Sequence, residues 1–125
     1  MKIENRCPHS VTLWDKYGQP LVLTPTQPPV RLLTISANQV GEVMGVPIHG
    51  PAGFAGVQFL PDKRADTFII VSQMTAMAVS ALHPDRDDVV YPGTAPHDHP
   101  VRDKERRDIR GVTRLIRAID APATG

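Results

Sequence analysis

Five stretches of this sequence bring together side chains able to do chemistry. Asn5-Arg6-Cys7-Pro8-His9 packs an amide, a guanidinium, a thiol and an imidazole into a short turn. Such groups are costly to bury unpaired, so the cluster belongs at a surface or in a polar pocket. His9 there suits a general base or a hydrogen-bonding ligand contact, or simply a histidine bonded to nearby backbone. Cys7 has no visible orienting partner or activating context that would make it a nucleophile beside His9. Ile70-Val71-Ser72-Gln73 is the step from a strand to a helix, where unpaired N–H groups and the helix dipole favour an anion. Ser72 either adds a donor to that anion site or only caps its helix. No glycine-rich phosphate loop precedes it, so neither a Walker nor a Rossmann assignment is supported.

Arg86-Asp87-Asp88 offers a guanidinium fork to a phosphate, or forms a salt-bridged turn. Its adjacent carboxylates would point to opposite faces of a strand, which argues against shared acid–base work. His97-Asp98-His99 sets two imidazoles on one side of an extended segment, but two ligands do not make a zinc site. His83 and His49 have no spacing that recruits them. From Val101 to Arg117 six arginines and one lysine face Asp103, Glu105 and Asp108, a local excess of four positive charges. That strip, with Arg102 at its start, attracts phosphate or is merely a solvated basic edge. The candidate ligand-binding set is therefore Asn5, His9, Ser72, Gln73, Arg86, Asp88 and Arg102, with no catalytic residue, no metal and no cofactor assigned.

The elements that must position these groups are mostly strands. Lys2–Asn5 is a short strand, and Pro8 keeps Cys7 extended. Val11–Trp14 and Leu21–Leu23 flank turn formers and read as a hairpin. Thr24–Pro29, with three prolines, is a loop or an extended edge. Val30–Ile35 is another strand. Short strands around Val40–Met44, Val46–His49 and Gly56–Leu60 suit the glycine-rich middle, with Gly45 reversing the chain at positive φ. Thr67–Val71 is strongly apolar and predicts a central strand covered on both faces.

Ser72–Leu82 predicts a helix capped by Ser72 and ended by Pro84. Met74, Met77, Ala78, Ala81 and Leu82 form its expected core face. Asp88–Tyr91 is a strand stopped by Pro92-Gly93. Val101–Asp103 and Ile109–Ile116 suggest a last hairpin tipped by Lys104–Arg107, with a helix over Asp108–Ile119 as the alternative. The fold class expected is α+β: one small domain over residues 1–120, a mostly antiparallel or mixed sheet with one short helix after its central strand. Residues 121–125 should fray.

A chain of 125 residues with 41% hydrophobic and 22% charged residues is long enough to bury a core without disulfides or metal. Thirteen prolines and nine glycines argue against an all-helical fold. The formal charge of +1 gives no reason to expect a nucleic-acid duplex or a membrane as partner. No run of about 18 apolar residues is present, which excludes a membrane-spanning helix. The single Cys7 fits a reducing compartment, and Met1–Asn5 lacks the apolar centre of a signal peptide. A cytoplasmic setting is expected.

Six short motifs together carry a resemblance. The chain resembles small uncharacterised proteins of bacteriophage and actinobacterial genomes that open with Asn-x-Thr-Pro-His-x-Val. Those proteins continue through Val-Gly-x-x-x-Gly-x-Pro and Tyr-Ile-Val-Ser, and then Arg-x-Asp-Val-x-x-Pro-Gly, Val-Arg-Asp and Gly-Val-x-x-Leu. Matching here are Asn5, Pro8, His9 and Val11, then Val40, Gly41, Gly45 and Pro47, then Ile70, Val71 and Ser72. Arg86, Asp88, Val89, Pro92 and Gly93 follow, with Val101, Arg102, Asp103, Gly111, Val112 and Leu115. Cys7 stands where the pattern has threonine, and Phe68-Ile69 stand around its tyrosine.

The resemblance implies a viral setting, with work in the host cytoplasm, and no activity. The function expected first is binding of a small phosphorylated or nucleotide-like ligand, which in a phage would sequester a host immune signal. Two alternatives stand beside it. One is a virion or host-takeover protein-interaction module, in which the proline-lined Thr24–Pro29 edge would add to a partner's sheet. The other is a small nucleotide hydrolase using His9. Binding is favoured over catalysis, and a homo-oligomer is possible. The ligand reading requires the segments of Asn5, His9, Ser72, Arg86 and Asp88 to converge at one sheet edge.

Overall fold

Phe68-Ile69-Ile70-Val71 sends apolar side chains alternately to both sides of an extended chain, so a strand built from it needs two covers. The computed structural model describes residues 2–35, 37–51, 53–103 and 109–120. Its strands are β1 (Lys2–Asn5), β2 (Val11–Trp14), β3 (Pro20–Leu23), β4 (Arg31–Ile35), β5 (Gln39–Val43), β6 (Val46–His49), β7 (Gly53–Gln58) and β8 (Thr67–Ile70). The helix α1 (Gln73–Leu82) follows, then β9 (Val89–Pro92), β10 (Val101–Arg102), β11 (Ile109–Gly111) and β12 (Leu115–Arg117). Short 3-10 turns lie at Pro96–Asp98 and Ala118–Asp120.

The result is a small α+β fold around a mixed sheet of order β1-β8-β9-β12, with one helix directly after its central strand. β1, β8 and β9 run parallel, and β12 is antiparallel to β9. No helix among the described residues is long and apolar enough to cross a membrane. The two covers of β8 are distinct. Ile69 and Val71 pack with Val30, Ala76, Val79, Val89 and Ala118, with Val57, Leu60 and Tyr91 at the margin. Ile70 belongs to a second cluster with Cys7, Val11 and Val90, bordered by Leu13, Leu23, Phe68 and Leu115. One face is thus closed by α1 and the base of the β4–β7 pair, the other by the β2–β3 hairpin.

The helix turns a different face to the sheet than its methionines suggest. Thr75, Ala76, Ala78 and Val79 are buried, whereas Met74, Met77, Ala81 and Leu82 are exposed. α1 is apolar nearly all round, so helical spacing fits more than one stripe. The stripe of small residues lets the helix sit close against Ile69, Val71 and Val89, which long thioethers would prevent.

The middle of the chain also differs in detail. β5 stops at Val43 because Met44 and Gly45 form the two-residue turn, both at positive φ (52° and 80°). The third strand is Gly53–Gln58, not Gly56–Leu60, since it is drawn into register with β4. At the carboxyl end a β10–β11 hairpin forms, as does β12, and the alternative helix over 108–119 does not. The expected single strand Ile109–Ile116 is interrupted at Thr113-Arg114. Val112 bonds to β2 (Val112 N–H to Thr12 O, 3.0 Å; Trp14 N–H to Val112 O, 2.9 Å), while Leu115–Arg117 crosses to β9. The expected hairpin tip Lys104–Arg107 and the expected frayed end 121–125 lie outside the described residues.

Gly111 makes the crossing possible. A Cβ there would lie 2.8 Å from both the Thr12 carbonyl oxygen and Trp14 Nε1. Gly111→Ala is therefore expected to lower stability by about 1–3 kcal/mol, the usual cost of overpacking a close approach. Urea unfolding checks this. The midpoint should fall at constant slope, and an unchanged midpoint would mean that β11 and β2 separate freely.

Candidate functional site

Parallel strands place their carboxyl ends together, so β1, β8 and β9 direct Asn5, Ser72 and the Pro92–Thr94 segment to one edge of the sheet. Open sheets with helical crossovers bind ligands at that edge. Asn5 is buried there, and its side chain works entirely for the fold. Its amide N–H groups donate to the carbonyls of His9 (2.9 Å) and Leu23 (2.8 Å), and its oxygen accepts from Cys7 N–H (2.9 Å). The proline-rich loop closes over the same end. Thr26 N–H donates to Asn5 O (2.7 Å), Val30 N–H to Arg6 O (3.0 Å), and the Arg6 guanidinium to Pro28 O (2.9 Å). The Thr24–Pro29 segment thus has Thr26 and Pro28 already bonded within the chain.

Ser72 caps α1. Its oxygen accepts from Thr75 N–H (3.3 Å) while its hydroxyl donates to Thr75 Oγ1 (2.8 Å). Gln73, at the first helical position, is exposed. Arg86 and Asp88 do not join this edge. They precede β9 and therefore sit at the opposite, amino-terminal end of the parallel strands. Arg86 makes a two-pronged pair with Asp88 (2.9 and 3.0 Å) and also donates to Pro61 O (2.8 Å). The Asp88 carboxylate beside it holds the Arg86 guanidinium above its ordinary range. The pair ties the loop before β8 to the start of β9. The expected convergence of these three segments is corrected accordingly: the register of a parallel sheet puts residues before β9 and residues after β8 at opposite ends.

His9 is exposed, with Nδ1 3.1 Å from Ser10 O. It borders a hollow of about 240 Å³ lined also by Thr12, Thr94, Arg110 and Gly111. Arg102, on β10, is exposed. Arg110 and Thr94 thus share this hollow with His9, which sequence reasoning missed. The basic strip flagged Arg110 only as one charge among seven. His97 and Asp98 lie 3.6 Å apart, and buried Asp98 accepts from Ala95 N–H (3.3 Å). Among the described residues no three His, Cys, Asp or Glu side chains are grouped to hold a metal ion.

The feature the sequence concealed lies elsewhere. β4–β7 and β5–β6 follow one another as a long two-stranded ribbon from Arg31 to Gln58. At its base Val57 packs on the core. Every described residue of β5 and β6 is exposed. The register pairs Val43 with Val46, Gly41 with Ile48, Glu42 with Pro47 and Gln39 with His49. The register then puts Val43, Val46, Gly41 and Ile48 on one face and Gln39, Glu42, Pro47 and His49 on the other, with Val40 at the irregularity between Gln39 and Gly41. The turn residue Met44 is 97% exposed. Eight of the exposed large apolar residues fall between Leu33 and Phe54. They gather on one hairpin arm and are not scattered singly over the surface, which is the distribution that marks an interaction site.

No protein-family model, no curated protein and no solved structure matches this chain.

Two outcomes follow from the sheet edge. Asn5→Ala removes a donor from two carbonyls and an acceptor from one N–H, so it should cost on the order of 3 kcal/mol. Chemical denaturation would show the loss, and an unchanged midpoint would return the amide to a ligand-binding role. Burial pushes the Cys7 thiol from 9.0 up to about 11. The folded value exceeds the unfolded one, so the stability from the neutral thiol is complete below pH 9 and is lost as pH rises through about 11. Stability measured against pH for wild type and Cys7→Ala should diverge across that window. Parallel curves would show that the thiolate is tolerated in the fold.

Proposed function

We propose that this protein is a protein-interaction module whose β5–β6 ribbon seats in another protein chain. The observation that carries the reading is an amphipathic ribbon with its apolar face of Val43, Val46 and Ile48 left in solvent. A lone two-stranded hairpin is marginal in water, and a face of this kind is stabilised when a third strand or another surface covers it. A place in a virion or in a host-takeover complex fits the resemblance to phage-borne proteins.

Binding of a small phosphorylated or nucleotide-like ligand has less support. The side chains of Asn5 and Ser72 are engaged within the chain, and Arg86 and Asp88 lie at the far edge of the sheet. The hollow beside His9, about 240 Å³, is smaller than the roughly 300–1,000 Å³ of ligand pockets.

Joining the paired residues Ile35 and Gly53 through an Asn-Gly turn removes the distal ribbon without touching either core cluster. The shortened chain should melt within about 5 °C of the full chain, since the distal ribbon contributes little to its own fold. The full chain is expected to sediment with a larger complex in a lysate of the producing cell, and the shortened chain to stay in the supernatant. A shortened chain without cooperative unfolding, or one that sediments like the full chain, would end the reading.

A further inference from the structure

The ribbon's apolar tip has a counterpart on the same chain. Between the β2–β3 hairpin and the sheet lies an open groove of about 570 Å³, walled by Ile3, Leu13, Trp14, Leu21, Val112 and Leu115. None of these residues belongs to the ribbon. The rim carries two charges, Asp15 and Arg114. Asp15 is engaged by its own turn, its Oδ1 accepting from Tyr17 and Gln19 N–H at 2.9 Å. The Arg114 side chain is about half exposed (49%), and its pairing with Asp98 is loose at 3.9 Å. The ribbon from Ala37 to Pro51 carries one carboxylate, Glu42, beside the tip, and no Lys or Arg.

Resting on the interaction-module reading, we propose that the occupant of this groove is the ribbon tip of a second copy. Val43, Met44 and Val46 would fill the apolar hollow and Glu42 would meet Arg114 at its rim. Two things favour a copy of this chain over an unrelated partner. Knob and hollow are both apolar, and the ribbon's one carboxylate, Glu42, is opposite in sign to the half-exposed Arg114 at the groove. Because tip and groove are different surfaces, the contact is head-to-tail, and repetition gives a ring or an open filament instead of a closed symmetric dimer.

The test uses the purified full chain and three variants at exposed positions: Met44→Asp in the tip, Leu21→Asp in the groove, and Glu42→Arg. Circular dichroism and urea midpoints first establish that each is folded like the wild type. Light scattering should then show wild-type mass rising with concentration, and each Asp variant remaining a monomer. An equimolar mixture of the two Asp variants should form a one-to-one pair, since it retains one intact tip and one intact groove. Glu42→Arg should weaken association about fivefold, the scale of a partly exposed ion pair, and adding Arg114→Glu should restore it. A groove variant that associates like wild type would mean tip-to-tip pairing and would overturn the head-to-tail contact. A wild-type chain that stays monomeric would overturn the second copy as occupant. If the ribbon-shortened chain still leaves the sedimenting fraction in that case, the interaction-module reading survives with a different partner.

Discussion

The two-sided burial of Ile69, Ile70 and Val71 is the constraint on which the rest of this structure depends. A strand apolar on both faces is stable only between two layers, each worth roughly 1.5–3 kcal/mol per large side chain fully withdrawn from water. The chain supplies one layer from α1 with Val30 and the ribbon base, the other from the β2–β3 hairpin with Cys7. Asn5 joins the hairpin to the sheet by bonding to Leu23 and the His9 turn, and Arg86 with Asp88 joins the opposite end. Polar groups that look like site residues are thus spent on holding the two covers in place.

That use of the chain also explains the ribbon. With both faces of β8 covered, no further element among the described residues lies over the Val43–Ile48 face. Its pattern, apolar on one side and polar on the other, is that of a half-buried strand pair, yet nothing among the described residues buries it. The same pattern that makes a core in one place makes an interface in another.

Electrostatics point the same way. The carboxyl edge of the parallel strands, where helix and strand ends favour an anion in many sheets, is closed over by backbone hydrogen bonds from the proline-rich loop. Ser72 caps one N–H of its own helix, that of Thr75, and no acidic residue stands in the first turn. Several surface charges are matched nearby, as Lys63 with Asp87 and Arg64 with Glu4. Arg114 and Glu42 stand out against that background by their exposure beside apolar surface.

Residue types and spacing by themselves determined most of the local structure. The Val11–Leu23 hairpin, the Gly45 reversal, the central Thr67–Val71 strand and the Ser72 cap all follow from turn chemistry and period-two or capping patterns. Those are short-range effects, decided by a residue and its neighbours. Tertiary structure alone decided which stripe of α1 faces the sheet, because Thr75, Ala76, Ala78 and Val79 win by fitting close and not by spacing. It alone set Arg86 and Asp88 at one end of the sheet and Ser72 at the other, since strand direction is fixed by pairing partners far apart in sequence. And it alone left the ribbon bare: alternation in sequence says that a face is apolar, but whether anything covers it depends on where the remaining layers have already been placed.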